Sequence, residues 1–220
     1  MLFPSLFSFR RIVLIAVSLG LSMLAGCVLT RPLTNVPLTW SPSDTLNLGG
    51  VRQNFGAPAT VHFLPFEDTA TDPQMIGKNV EPNRVNHWDA NTGRNKPLPV
   101  DVTTSDQVGH FVSQHMQDLF AQAGYRAVDT NAERVVSGVV HKFFVEEGNL
   151  YRATLDISLT VRDQNGKVLW SGSVEGTSST FGHSYSLENY EQVLSNSVVS
   201  AADKLLDDPL FNKALAIPAK

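Results

Sequence analysis

The chain is short of cysteine, of charge and of catalytic signatures. Cys27 is its one cysteine in 220 residues. No disulfide can therefore form within the chain, and stability must come from packing. Charged residues make up 17%, which does not fit a charge-rich disordered tail. The pattern holds no HExxH, CxxC, GxSxG or P-loop, so no zinc protease, dithiol centre, serine-hydrolase elbow or phosphate cradle is indicated. Internal repeats and low-complexity tracts are lacking too. What is present is 42% hydrophobic and 9% aromatic, with 12 Pro and 15 Gly. That is globular composition with length enough for a core, and it excludes a collagen, a disulfide miniprotein and a polytopic membrane protein.

The N-terminus carries the clearest pattern. Arg10 and Arg11 form a short positive region, and the apolar, uncharged stretch Ile12 to Leu24 follows. That stretch is shorter than the ~20 residues of a comfortable membrane span. It fits the apolar region of a secretory signal, removed from the mature fold. Leu24-Ala25-Gly26-Cys27 closes it and resembles the lipobox of bacterial lipoproteins. The resemblance implies cleavage between Gly26 and Cys27, a diacylglyceryl thioether on the Cys27 sulfur and acylation of the new amine. It also implies the outer membrane, periplasmic face, because Val28 stands where an inner-membrane lipoprotein tends to have Asp. Each buried methylene contributes ~0.8 kcal/mol, so two or three chains make release negligible. Lipidation would leave no free thiol.

Removing Arg10 and Arg11 from 17 basic residues leaves 15 against 21 acidic ones, a net charge of −6 with His neutral. That argues against nucleic acid or anionic lipid as a charge-driven partner. The expected organisation is a signal at 1–26, a lipidated Cys with an extended tether at 27–54, and one α+β domain at 55–220. The tether reading rests on Pro32, Pro37 and Pro42 among Thr, Ser and Asn without a helical period.

Within the domain, Ala59 to Phe66 is expected as an interior strand. Glu67 to Thr104 is expected as a long loop, with Pro73, Pro82, Pro97 and Pro99; a loop this long is usually functional or disordered. Ser105 to Ala123 has helical spacing, with Ser105 or Asp106 as cap and Gly124 as its stop. A short strand follows at Tyr125 to Val128. Val135 to Glu146 is expected as a strand, and Tyr151 to Asp163 alternates strictly, with one buried and one wet face. Asn165-Gly166 predicts a two-residue hairpin turn before a strand at Lys167 to Thr177. Leu187 to Leu206 is a second amphipathic helix with Ser186 as cap; Pro209 ends it, and Leu210 to Ile217 forms a last helical piece. The order is β-loop-α-β-β-β-β-α: a mostly antiparallel sheet of about five strands with two helices on one face.

On this order the chain resembles the YajG-type bacterial lipoproteins. The resemblance runs through Leu119-Phe120-Ala121-Gln122-Ala123-Gly124-Tyr125, Gly148-Asn149-Leu150-Tyr151, Asp163-Gln164-Asn165-Gly166, Leu194-Ser195, and Leu205 to Phe211, within 105–211. Val61 to Phe66 also resembles the opening strand of other envelope lipoproteins. These resemblances imply an α+β periplasmic domain and no particular chemistry. The insertion at 67–104 departs from the YajG type.

The candidate binding site is the loop with His87, Trp88, Asp89, Asn91, Arg94 and Asn95. A Trp among such groups can stack on a sugar or anchor a protein contact; alternatively it folds back over the sheet. Glu67, Asp68 and Asp72 could serve acid–base chemistry or hold a cation; the alternative is a solvated loop start. His110 and His115 stand i, i+5 on one helix, which is not metal-ligand spacing, and His115 is expected in the core or at its rim. Glu146 and Glu147 are expected in solvent. No catalytic residue, metal or cofactor is expected. The expected role is a lipid-anchored accessory or assembly lipoprotein that binds an envelope protein. The alternative is recognition of a glycan or peptidoglycan fragment through 67–104.

Overall fold

A computed structural model divides the chain into two compact units, Met1–Arg31 and Pro32–Lys220. It describes residues 33–47, 57–79, 86–89, 94–97, 101–182 and 186–217, all in the second unit. The signal segment with Gly26 and Cys27 lies outside the described residues. The elements are β1 (Ala57–Pro58), β2 (Thr60–Phe63), β3 (Glu67–Asp68), β4 (Met75–Asn79), β5 (Asn86–Asp89), β6 (Arg94–Pro97), β7 (Asp101–Thr103), α1 (Val108–Gln122), β8 (Arg126–Ala127), β9 (Arg134–Glu147), β10 (Leu150–Asp163), β11 (Val168–Phe181), α2 (Leu187–Asp207), α3 (Pro209–Ala214) and β12 (Ala216–Ile217). No helix among the described residues is long and apolar enough to cross a membrane.

The fold is α+β on a mostly antiparallel sheet, as expected. Strands β9, β10 and β11 form a meander of 14 residues each. The other edge of β9 carries β2, β3 and β4 one after another, all parallel to it. Beyond them lie β8, parallel to β2, and β7, antiparallel to β4. The five expected strands are all present. The additions β3, β4 and β7 come from 67–104, which is thus no single loop. Strands of two to five residues are too short to show a period of two.

Burial follows the alternation of β10. Tyr151, Leu155, Ile157 and Val161 are all fully buried, and Ala153 and Leu159 are nearly so. Helix α2 packs against β10 and β11 and α1 against β2 and β9, and both share one core with this face. Helix α1 starts later than expected, and neither Ser105 nor Asp106 caps it: Gln107 holds the N-cap position without a side-chain bond. Asp106 Oδ2 instead accepts from Leu38 N at 2.7 Å. Its end is as expected. Gly124 sits at φ 91, Tyr125 N donates to Phe120 O and Gly124 N to Ala121 O, both at 3.0 Å, which is a Schellman motif. Ser186 caps α2 as expected, accepting from Asn189 N. The turn after β10 has three residues rather than two: Gly166 N bonds Asp163 O and Asp163 N bonds Lys167 O, with φ +80 at Gly166 alone.

Residues 33–47 are not a free tether. Val36 is in the core, and Leu33, Leu38, Trp40 and Leu46 pack against it. Helix α2 supplies acceptors for this arm. Ser195 Oγ accepts from Ser41 N at 3.0 Å. Asn196 Oδ1 accepts from Ser43 N at 2.9 Å and Asp44 N at 3.1 Å, and its Nδ2 donates to Ser43 Oγ at 2.9 Å. Asp203 Oδ1 accepts from Asn47 N at 2.9 Å. Trp40 stacks on His115, ring centroids 4.1 Å apart.

Leu155→Ala and Phe111→Ala should each lower unfolding free energy by ~2–5 kcal/mol in urea denaturation, because both side chains fill the core. Asn196→Ala should speed hydrogen exchange at Ser43 and Asp44 many-fold, with β10 amides little changed.

Candidate functional site

A concavity among the described residues arises from a break in strand pairing. Strand β3 accompanies β9 as far as Val140, and β4 rejoins it at Val145. Residues 70–74 swing away between them, leaving 141–144 without a strand on that edge. The result is a cleft of about 330 Å³ whose lining includes Asp68, Asp72, Met75, Val108, His141, Lys142, Phe143 and Glu146. Of the carboxylates noted from sequence, Asp68 and Asp72 line the cleft and Glu67 does not, and both of those that do lock turns. Asp68 Oδ1 accepts from Ala70 N at 3.0 Å, and Asp72 Oδ1 from Gln74 N at 3.2 Å. His141 is held on both sides, Nδ1 3.3 Å from Thr69 Oγ1 and Nε2 2.8 Å from Ser158 Oγ. Ser158 continues to Ser173 at 2.9 Å. A hydroxyl row thus runs across the outer face of the sheet. The bonds of Asp68 and Asp72 to Ala70 N and Gln74 N fit the loop-start alternative.

A second polar centre was missed. Glu147 is 1% exposed, not solvated as expected. The cause is a bulge in β9: Lys142 stands opposite Asp156 and Val140 opposite Ile157, so His141 is an extra residue. Inward positions change from Val136, Gly138 and Val140 to Phe143, Val145 and Glu147. Tyr151 Oη donates to Glu147 Oε1 at 3.2 Å and Tyr190 Oη to Oε2 at 3.0 Å. Ser186 N donates to Tyr151 Oη at 3.0 Å, tying the carboxylate to the start of α2. Burial foremost, with the Glu147 charge, pushes the Tyr151 phenol up to about 12. A break in alternation before an acidic residue carries no sequence mark.

Of the expected binding loop, His87, Trp88 and Asp89 fall on β5 and Arg94 on β6, two strands that pair antiparallel. Trp88 stands opposite Asn95, and Asp89 opposite Arg94. Asn91 lies outside the described residues, as do Gly26 and Cys27. His115 is at the rim as expected. Burial holds its imidazole below the ordinary value, with His110 acting the same way and Asp118, its Oδ2 3.6 Å from Nδ1, opposing. Among the described residues no group of three His, Cys, Asp or Glu could hold a metal ion.

These two shifts set a pH window. His115 titrates lower in the folded state, so the unfolded chain takes its proton first, and stability falls as pH drops below about 6.5. Tyr151 titrates higher when folded, so its contribution is complete below pH 10 and is lost as pH rises toward 12. The difference corresponds to ~3 kcal/mol. Urea midpoints across pH should show both limbs, and Tyr151→Phe should flatten the alkaline one.

No family model matches the chain, and no curated protein matches it, so the YajG-type resemblance has no counterpart there. Similar solved structures include a Xanthomonas campestris protein of family DUF330, with a TM-score of 0.46 and 10% identity over 83% of this chain and 93% of that one. A PelC dodecamer from Paraburkholderia phytofirmans has a TM-score of 0.41 and 14% identity, over 80% of this chain and 96% of that one. A lipoprotein from Neisseria meningitidis has a TM-score of 0.33 and 14% identity, over 60% of this chain and 90% of that one.

Proposed function

We propose that this chain is a lipoprotein of the bacterial envelope, held to the periplasmic face of the outer membrane by lipid on Cys27. Its α+β domain serves as a non-enzymatic docking module for another envelope protein. The observation that carries the reading is Leu24-Ala25-Gly26-Cys27 after a charged and then apolar segment, with Val28 next. The polar groups described above support the non-enzymatic part, because their bonds do structural work. Asp68 and Asp72 lock turns, His141 is tied to Thr69 and Ser158, and Glu147 takes two tyrosine hydroxyls.

The second reading, a site for a glycan or peptidoglycan fragment within 67–104, is favoured by the cleft of about 330 Å³. That volume is at the lower end of small-ligand sites. Titration with muropeptides, repeated on Trp88→Ala, separates the two.

Cells fed radiolabelled palmitate should label the wild-type protein and not Cys27→Ser. Crosslinking in intact cells should capture one defined envelope protein, and that product should vanish in Cys27→Ser. Palmitate label in neither form refutes the anchor. Saturable muropeptide binding lost in Trp88→Ala, with no protein captured, would replace docking by ligand recognition.

A further inference from the structure

Because residues 33–47 are strapped to the domain, the anchor does not sit on a long free leash. Six chain steps separate Cys27 from Leu33, and fully extended they reach about 20 Å. A 14-residue strand such as β11 spans about 45 Å. The two ends of the sheet are therefore not equivalent with respect to a lipidated Cys27.

The hydrogen bonds of the arm say which end is near. Thr103 N donates to Leu33 O at 3.4 Å, and Val36 N to Thr103 O at 2.7 Å. One residue bridging an earlier carbonyl and a later amide is parallel pairing, with Asn35 at φ 57 as the extra residue. The arm thus runs with β7, and its Leu33 end points toward Asp101. The register carries that end across the sheet. Asp101 pairs with Lys78, Lys78 with Glu146, Glu147 with Tyr151, and Leu150 with Phe181. Phe181 is 72% exposed, the most exposed large apolar side chain among the described residues, and Leu187 nearby is 37% exposed. Asn189 and Tyr151 pack against the next residue, Gly182, so Phe181 stands on a fixed base.

We infer that the Phe181 end of the domain faces the lipid bilayer and that the Phe181 ring rests among the headgroups. Phe, like Trp and Leu, is a side chain that interfacial elements bury at the boundary of headgroups and acyl chains. This rests on the anchor at Cys27. The opposite end exposes Val168 and Leu210, and the chain length from Cys27 decides against it. Lys78, Asp101, Glu146 and Arg152 are exposed at the Phe181 end, a mixed set that leaves apolar contact and the anchor as the attraction.

The test uses full-length lipidated protein in vesicles of phosphatidylethanolamine with a minor share of phosphatidylglycerol. Phe181→Cys or Val168→Cys carries an environment-sensitive fluorophore, since Cys27 is blocked by lipid. Nitroxide lipids labelled at the headgroup should quench position 181 several-fold more than 168. Equal quenching, stronger quenching at 168, or quenching at neither overturns the inference. Flotation with vesicles, lost in Cys27→Ser, tests the anchor separately; wild-type protein that does not float refutes the anchor rather than the orientation. Val36→Asp, which puts a charge where the buried Val36 side chain holds the arm beside Thr103, should narrow the difference, and an unchanged difference overturns the short-leash argument.

Discussion

Helix α2 presses on β11 so closely that a Cβ at Gly176 would stand 2.0 Å from the Ser197 carbonyl oxygen. The rest of the domain depends on that contact. It seals the buried face of β10 and fixes the start of α2 beside Glu147. It also turns Ser195, Asn196 and Asp203 toward residues 39–47. One helix thus closes the core with its apolar side and holds the arm with its polar side. Asn196 is 4% exposed; a polar side chain that deep is retained at low cost only when its bonds are made, and it bonds both Ser43 and Asp44.

The elements legible in the sequence are those long enough to repeat a pattern. Strand β10 alternates over 14 residues, and α1 and α2 keep helical spacing through several turns. Their stops were legible because Gly124 and Pro209 act locally. Three things were hidden, each for a physical reason. Strands β3, β4 and β7 are too short to show a period, and only pairing with β9, or for β7 with β4, makes them strands. The arm has neither helical nor strand spacing, since only Leu33 and Val36 pair with Thr103 of β7, while the amides of Ser41, Ser43, Asp44 and Asn47 bond to side chains of α2. Glu147 was hidden by the bulge at His141, which moves every later residue of β9 to the other face.

The candidate sites were legible to a lesser degree. Asp68 and Asp72 were noted as carboxylates near a strand end, and the structure does bring them to one cleft. Sequence could not show that residues 70–74 leave β9 and open that cleft. His87 to Asp89 and Arg94 were grouped by composition, and β5 and β6 pair those segments. Tyr151 and Tyr190, which bond Glu147, and Ser186, which bonds Tyr151, come from two distant stretches of the chain and carry no common motif.

The open edge of β11 bears on how a protein partner could bind. A 14-residue edge strand invites strand addition, which native domains prevent by covering or charging the edge. Here α2 reaches over the centre of that edge. Lys204 Nζ donates to Glu175 O at 2.6 Å, and Ser200 Oγ accepts from Thr177 N at 3.3 Å. Two backbone groups that a foreign strand would need are thereby taken, and a lysine stands beside them. Strand addition at mid-edge would have to break both bonds and displace a charge. The proposed docking role would therefore use side-chain contacts rather than strand addition at the middle of this edge.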